Sequence, residues 1–277
     1  MAARTTHIGS VAVTVGCLVL MLASPALADT ITLADGNSVI EIDPYSDAGV
    51  SRWVVDGTSH LSRQWFWYRL GDGPDAREYA IDHESQVSAT TLDIDWDGDD
   101  ELMLLEYKHT EFTVAITLLL EGGSAGSQAS DLAEIIRITN TSGGPLTNLH
   151  LFQYADFDLL GTPDNDMLQI LGGNTAHQTD GDWFVAETVV TPKPAHYDAA
   201  TGSYLLDTLG DDDATTLGDY GGALDEDNWS WSFQWDITLA EGGTFLISKN
   251  KNVMPEPATL TLMGSGLAAF VVLRRRW

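Results

Sequence analysis

Alternation of apolar and polar residues at every second position is the feature that most limits the folds open to this chain. Between 112 and 120 the apolar positions are Phe112, Val114, Ile116, Leu118 and Leu120. The same period recurs over 229–238, where large apolar residues alternate with polar ones. Successive side chains of a β-strand point to opposite faces, so this pattern indicates strands with one buried face. After the N-terminal region, no long segment shows the apolar stripe of an amphipathic helix.

Short strands separated by glycine-rich turns predict an all-β fold. Further strands are predicted over 38–42, 50–55, 61–70, 87–96, 101–107, 132–138, 146–154, 183–190, 203–206 and 244–249. Turn sequences such as Asp56-Gly57 and Gly242-Gly243 separate them, and we expect longer loops over 122–130 and 210–227. No linker divides the region, so we expect one antiparallel β-sandwich or jelly roll over 29–252.

Residues 1–28 have the features of a secretory signal peptide. Arg4 precedes an apolar stretch over 11–22, and Ala26 and Ala28 provide the small residues of a cleavage site before Asp29. The only cysteine, Cys17, lies inside this segment. We therefore expect an exported mature chain without disulfides, stabilised by its packed core and by any bound ions.

The composition is strongly acidic, with a formal net charge of −28 at pH 7. Such a surface repels nucleic acid and anionic lipid and attracts cations, so we expect no nucleic-acid partner. The simpler interpretation is that the acidity keeps an exported protein soluble.

The segment LDIDWDGDDELMLLEY, over 92–107, holds the most specific internal motif. Its clustered acidic residues are Asp93, Asp95, Asp97, Asp99 and Glu101, with Gly98 where the chain must turn. Hard oxygen ligands at positions one, three and five, followed by glycine, suit Ca²⁺. An EF-hand loop would place Glu at position twelve, which is Leu104 here. The alternative is a solvated hairpin turn, in which the crowded carboxylates repel one another.

This loop resembles the D-x-D-x-D-G-x-x-D hairpin of FG-GAP and integrin-type repeats, with Glu101 in place of the last aspartate. The resemblance implies a structural Ca²⁺ held by side-chain oxygens of Asp93, Asp95, Asp97 and Glu101 and by the backbone carbonyl of Asp99. It covers this loop alone, because the sequence lacks the repeats of a propeller.

Other acidic residues are spaced irregularly. They are Asp156, Asp158, Asp164 and Asp166, and the runs 211–213 and 225–227. We expect all of these to lie in solvated loops, with weak cation sites as the alternative.

The segment EIDPYSD, over 41–47, comes nearest to a catalytic signature. Glu41, Asp43 and Asp47 resemble the E-x-D-x-x-(x)-E signature of laminarinase-like glycoside hydrolases, whose jelly-roll strands present a nucleophile and an acid to one sugar bond. Here the last Glu is an Asp, and Pro44 interrupts the strand. We expect a non-catalytic protein, with a glycan-active hydrolase that uses Glu41 and Asp43 as the alternative.

The segment RQWFWYRLG, over 63–71, carries aromatic rings on both faces of one predicted strand. One face can belong to the core, while the other would present Trp65 and Trp67 as a flat platform that stacks on sugar rings. The alternative is a strand buried on both faces or covered by a loop.

The C-terminal segment VMPEPATLTLMGSGLAAFVVLRRRW, over 253–277, contrasts with the acidic chain before it. Its apolar part, 258–273, is close to the length of a membrane helix. Two short motifs flank that part: Pro255, Glu256 and Pro257 before it, and Arg274, Arg275 and Arg276 after it. The positive-inside rule places the arginines in the cytoplasm and the acidic domain across the membrane.

This tail resembles the PEP-CTERM sorting signal of Gram-negative bacteria that make extracellular polysaccharide. The resemblance implies an exosortase, a membrane cysteine transpeptidase that cuts at or near the Pro-Glu-Pro motif. It implies a precursor anchored in the inner membrane and a mature form at the cell surface or in the extracellular matrix, with exopolysaccharide as a candidate partner. The alternative is a plain membrane anchor on a periplasmic protein without a ligand.

Overall fold

The computed structural model describes residues 30–256. The predicted signal peptide, with Cys17, and the predicted membrane helix over 258–273 lie outside these residues. Within 30–256, no helix has the length and apolar character needed to span a bilayer.

The described chain is built almost entirely from strands. In chain order they are β1 (Ile31–Asp35), β2 (Ser38–Asp43), β3 (Gly49–Val55), β4 (Thr58–Ser59), β5 (Arg63–Leu70), β6 (Tyr79–Ala80), β7 (Gln86–Leu92), β8 (Leu102–Lys108), β9 (Phe112–Gly122), β10 (Ser130–Asn140), β11 (Leu146–Asp156), β12 (Met167–Leu171), β13 (Thr175–Asp180), β14 (Trp183–Thr191), β15 (His196–Thr201), β16 (Trp229–Leu239) and β17 (Thr244–Pro255). A 3-10 turn covers Leu159–Gly161, and the helix α1 covers Tyr204–Leu209.

The strands form two sheets, A and B, that pack against each other as a sandwich. Sheet A has the order β1-β2-β3-β5-β11-β16-β15, with β4 beside β3 and β6 beside β5. Sheet B has the order β12-β13-β14-β17-β10-β9-β8-β7. Neighbouring strands are antiparallel except for a short parallel contact between β3 and β5. The predicted all-β antiparallel architecture is confirmed.

The core follows the period-two pattern of the sequence. The five alternating apolar side chains of β9 are all at most 1% exposed, as predicted for one face of a strand. The apolar side chains of β16, which include Trp231 and Phe233, are also buried. The side chains between them, however, are buried too: Ser230, Ser232 and Gln234 are at most 1% exposed.

The expected half-buried character of β16 is therefore wrong, because the loop after α1 covers its polar face. The backbone N–H of Leu217 in this loop donates to Oε1 of Gln234 at 3.0 Å. Between α1 and β16 the chain forms no strand, which agrees with the long acidic loop predicted over 210–227.

The predicted strand over 203–206 is also wrong, since this segment begins α1. Leu205 and Leu209 lie four residues apart on one face of the helix, and both are buried. The hydroxyl of Ser203 donates to Asp207 at 2.7 Å across the first turn. A helix of six residues is too short to leave a clear periodic signal in the sequence.

Four charged side chains lie in the centre of the sandwich and are fully buried. Glu134 on β10 and Glu187 on β14 flank Lys249 and Lys251 on β17. Nζ of Lys249 lies 2.8 Å from Oε2 of Glu134 and 2.9 Å from Oε1 of Glu187. Nζ of Lys251 contacts Glu134 as well. The two acids and two bases balance each other in charge, which is the condition for burying them.

Candidate functional site

The acidic hairpin connects β7 and β8. Strand β7 ends at Leu92, earlier than predicted, so Asp93 to Asp97 lie in the loop itself. The carboxylate of Asp93 accepts the N–H groups of Trp96 (2.6 Å) and Gly98 (3.1 Å), which folds the loop back on itself. Gly98 has a φ of +106°, a value that glycine reaches without steric cost.

The fold brings acidic side chains of this hairpin together in two overlapping groups. Asp93, Asp95 and Glu101 offer oxygens within 4.8 Å of one another, and Asp95 and Asp97 do so with Asp35. Within 30–256, the side chain of Asp99 belongs to neither group. Carboxylates so close together repel one another, and all the donors are hard oxygens of the kind that Ca²⁺ prefers.

Asp35 belongs to β1, far from the hairpin in sequence, and is not part of the sequence motif. The N–H of Ala34 donates to the carbonyl of Asp100 at 2.9 Å, which holds β1 against the hairpin. No local pattern around Asp35 marks it, because β1 belongs to sheet A and the hairpin to sheet B, and only the packing of the two sheets brings them together.

Both tryptophans of the predicted sugar platform are buried, and the alternative, a strand buried on both faces, is confirmed for β5. Trp65 is fully buried, so it cannot present a ring to a sugar, and its role in the platform was predicted wrongly. The physical reason is Gly49, whose missing side chain leaves room for the ring: a Cβ there would lie 2.3 Å from Cδ2 of Trp65. Trp67 is 3% exposed and contributes to the wall of a surface cleft.

This cleft has a volume of about 470 Å³ and lies between the turn after β2, strand β6 and the C-terminal end of α1. Three aromatic residues contribute to it: Tyr45, Trp67 and Tyr79. Tyr45 is 49% exposed and offers its ring to solvent at the rim. Pockets that hold small organic ligands have volumes of about 300–1,000 Å³, so the cleft has room for one or two sugar rings.

The charges of the cleft are mainly acidic. Asp47, Glu78, Asp82 and Asp211 face Arg77 and His83. Arg77 is not free, because its guanidinium lies 4.9 Å from the centre of the Tyr79 ring and pairs with Asp212. An excess of carboxylates disfavours anionic ligands.

Glu78 and Asp82 each have a buried carboxylate oxygen without a hydrogen-bond partner in the described chain. Oε1 of Glu78 accepts from Arg69 at 2.5 Å and from the N–H of Thr215 at 2.9 Å, whereas Oε2 has no partner in the described chain. Burial raises the pKa of Asp82, and the neighbouring Asp47 adds to the rise. Oδ1 of Asp82 likewise lacks a partner within 30–256.

The acids of the predicted hydrolase signature make local contacts. The carboxylate of Asp43 accepts the N–H of Tyr45 (2.9 Å) and the hydroxyl of Ser46 (2.7 Å), and so closes the turn after β2. Glu41 pairs with Arg52 at 2.7 Å on the neighbouring strand. Of the three signature acids, only Asp47 lines the cleft.

The last strand runs directly into the Pro-Glu-Pro motif. Pro255 is opposite Trp183 at the end of β17, and the N–H of Glu256 donates to the carbonyl of Asp182 at 2.5 Å. Pro257 and the three arginines lie outside the described residues. The family model for the PEP-CTERM protein-sorting motif matches residues 255–276. The chain carries a PEP-CTERM sorting motif.

The motif implies export, a membrane-anchored precursor and processing by an exosortase. It covers the tail only and leaves the function of the sandwich open. No curated protein sequence matches the chain significantly.

Solved structures resemble the fold. A bacterial glucoamylase in complex with acarbose aligns with a TM-score of 0.55 and 8% identity, over 85% of this chain and 34% of that chain. A polysaccharide lyase aligns with a TM-score of 0.44 and 14% identity, over 80% of this chain and 33% of that chain. The chain therefore spans about a third of the length of these proteins. At such identity, the glucoamylase alignment supports the sandwich fold and nothing further.

Proposed function

We propose that this chain is a cell-surface or extracellular-matrix protein whose sandwich binds a neutral sugar of an extracellular polysaccharide without cleaving it. The cleft of Tyr45, Trp67 and Tyr79 is the observation that carries the proposal. An exposed tyrosine ring beside carboxylates suits a sugar, because the ring packs on its apolar face while the acids accept its hydroxyl groups. The bacterial glucoamylase that resembles the fold over 34% of its length was solved in complex with acarbose.

The charges that line the cleft restrict the class of sugar that it can bind. Four acids against Arg77 and His83 would repel uronic acids and sulfated sugars, whereas neutral sugars pay no such cost. The tail supports the location, since an exosortase substrate leaves the cytoplasm.

A glycan array followed by calorimetry, both with the full chain in detergent, tests sugar binding. We expect neutral glycans to bind, and Tyr45→Ala to weaken binding at least about tenfold through lost ring stacking. Tyr220→Ala is the matched control, because Tyr220 is similarly exposed, at 50%, and does not line the cleft. The proposal fails if no glycan binds, or if the two variants bind equally well.

We also propose that the hairpin of Asp93, Asp95, Asp97 and Glu101, completed by Asp35, holds a structural Ca²⁺. Support comes from its all-oxygen donors and from the wide spacing of these residues along the chain, so that an ion would fasten β1 to the β7–β8 turn. Asp95→Asn should reduce the rise in melting temperature that millimolar Ca²⁺ gives the full chain. An identical rise in the variant would contradict the site.

The enzyme alternative is favoured by one observation, the raised pKa of Asp82 in the cleft. A half-buried carboxyl whose pKa is raised is a candidate general acid for glycoside cleavage. If the cleft is catalytic, Asp82→Asn should abolish sugar release from bound glycans while Glu41→Gln leaves it unchanged. Release that depends on Glu41 instead would favour the signature of the predicted hydrolase.

A further inference from the structure

The acidic residues 156–166, expected in solvated loops, include a fully buried aspartate. Asp166 is 0% exposed, in contrast to the expectation from sequence. Its backbone pairs with Asp227: the N–H of Asp166 donates to the carbonyl of Asp227 at 3.2 Å, and the reciprocal bond is 3.0 Å. This bridge fixes Asp166 just before β12, at the point where the acidic loop returns to the sandwich.

Neither carboxylate oxygen of Asp166 has a hydrogen-bond donor among residues 30–256. A buried ionised carboxylate without a donor or a cation is strongly unfavourable. Within the same residues, no lysine or arginine forms an ion pair with Asp156, Asp158 or Asp166. No ion pair therefore compensates Asp166 within 30–256, whereas Arg63, opposite Asp156 in the β5–β11 register, acts on the charge of Asp156.

A neutral side chain next to Asp166 also has a buried oxygen without a hydrogen-bond donor in the described residues. Gln178 on β13 is 0% exposed, and its Nε2 donates to the carbonyl of Phe157 at 2.6 Å. Its Oε1 has no partner in the described residues. Leu168 is opposite Gln178 in the β12–β13 register, so Asp166 and Gln178 are diagonal neighbours on one face of the sheet. An amide oxygen without a donor beside a carboxylate without a donor is an arrangement that a cation satisfies.

Three further carboxylates act on Asp166: those of Asp180, Asp158 and Asp156. Asp156 ends β11, and its Oδ1 is buried without a partner within 30–256, while Asp158 follows two residues later and is half-buried. Burial raises the pKa of Asp166 to about 8; the side-chain amide of Gln178 opposes this rise, and the carboxylates of Asp180, Asp158 and Asp156 add to it. The negative charges thus act on one another across this end of the sandwich.

We propose that Asp166 and Gln178 bind a buried Ca²⁺, with Asp156 and Asp158 as the neighbouring carboxylates that balance its charge. The donors are oxygens only, without nitrogen or sulfur, which favours Ca²⁺ over zinc. Ca²⁺ accepts irregular sets of carboxylate and amide oxygens, whereas Mg²⁺ requires a near-ideal octahedron. The ion would fasten β11, β12 and β13 to the end of the acidic loop, in a fold whose described residues contain no cysteine.

This site is separate from the hairpin around Asp95, and its test must distinguish the two. The full chain, purified in detergent, carries Asp95→Asn as the background so that the hairpin is impaired. Metal content is measured by mass spectrometry after equilibration with Ca²⁺ and gel filtration, and melting temperature is measured in Ca²⁺ and in EGTA. The variants are Asp166→Asn and the control Asp164→Asn, which makes the same charge change at an exposed position of the same segment.

We expect the background protein to hold one Ca²⁺ per chain and to melt higher with Ca²⁺ than with EGTA. Asp166→Asn should lose the ion and the Ca²⁺-dependent shift, and in EGTA it should melt above the background, since asparagine avoids the cost of desolvating or protonating a buried carboxylate. Asp164→Asn should behave like the background. Gln178→Met, close in size, should weaken Ca²⁺ binding about tenfold or more without unfolding the chain.

Two results would overturn the site. The first is a background protein that binds no Ca²⁺, which would mean that Asp166 is a neutral, protonated acid. The second is equal Ca²⁺ content and equal melting shifts in the background, Asp166→Asn and Gln178→Met proteins. If Asp166→Asn does not fold, the background protein and Gln178→Met still decide the question, and no sugar enters either measurement.

Discussion

The buried charge cluster of Glu134, Glu187, Lys249 and Lys251 allows the sharpest prediction for stability. Lys249→Met removes one ammonium group and keeps most of the side-chain volume. It leaves two carboxylates in the core against the single ammonium of Lys251, where Lys249 had contacted them at 2.8 and 2.9 Å. Breaking a buried ion pair on one side costs about 3–5 kcal/mol, because the remaining charge stays desolvated.

This loss of folding free energy in Lys249→Met corresponds to a lower melting temperature. For a domain of about this size, each kcal/mol lowers the melting temperature by about 2–4 °C, so we expect a drop of about 6–20 °C. Differential scanning calorimetry and urea denaturation measure the two quantities. Lys193→Met is the control, because Lys193 is exposed and should change stability by less than about 0.5 kcal/mol.

A double variant tests whether charge compensation is the cause. Lys249→Met with Glu187→Gln restores neutrality, and glutamine keeps an oxygen that can accept from Nε1 of Trp231, now 2.8 Å from Glu187. We expect the double variant to be more stable than the sum of the single effects by about 1–3 kcal/mol. Strict additivity, or a Lys249→Met protein as stable as the wild type, would refute this reasoning.

Two further predictions concern pH and packing. Burial lowers the pKa of His60 to about 4. Between pH 6.5 and 4 the unfolded chain therefore binds a proton at His60 that the folded chain does not bind. The free energy of unfolding should fall as the pH is lowered through this range. Urea titrations at several pH values should show a shallower fall in His60→Gln, and an unchanged slope would contradict the assignment. Gly49→Ala should cost about 2–4 kcal/mol in urea denaturation, because its φ is +55° and a Cβ would overlap Trp65. Gly71→Ala, with a φ of +81° and open space, should cost only about 1 kcal/mol, and equal costs at the two glycines would contradict the packing argument.

Local patterns in the sequence were sufficient where a single strand or a contiguous motif carries the information. The alternation over 112–120 predicts β9 correctly, because period two follows from strand geometry alone. The tail motif is contiguous, and the matching family model confirms it over 255–276. The order of Asp93, Asp95 and Glu101 likewise indicates which carboxylates can converge in one hairpin.

Sequence patterns did not predict the burial or contacts of a residue where a segment distant in sequence packs against it. The strand of Trp65 and Trp67 carries rings on both faces, and alternation cannot tell which face another segment covers. Gly49 gives Trp65 its buried place, and α1 with the following loop covers the polar face of β16. Asp35 reaches the acidic hairpin only because the edge of sheet A packs against the β7–β8 turn of sheet B.

The sequence by itself determined the all-β class, the acidic surface and the sorting tail, because these depend on composition and on neighbours along the chain. Only the tertiary structure decided which polar groups are buried without a hydrogen-bond partner among residues 30–256. Asp164 and Asp166 are two residues apart in one acidic segment, yet one is exposed and the other is fully buried beside Gln178. The difference arises because desolvation depends on the segments that pack over a side chain, and those segments are distant in sequence.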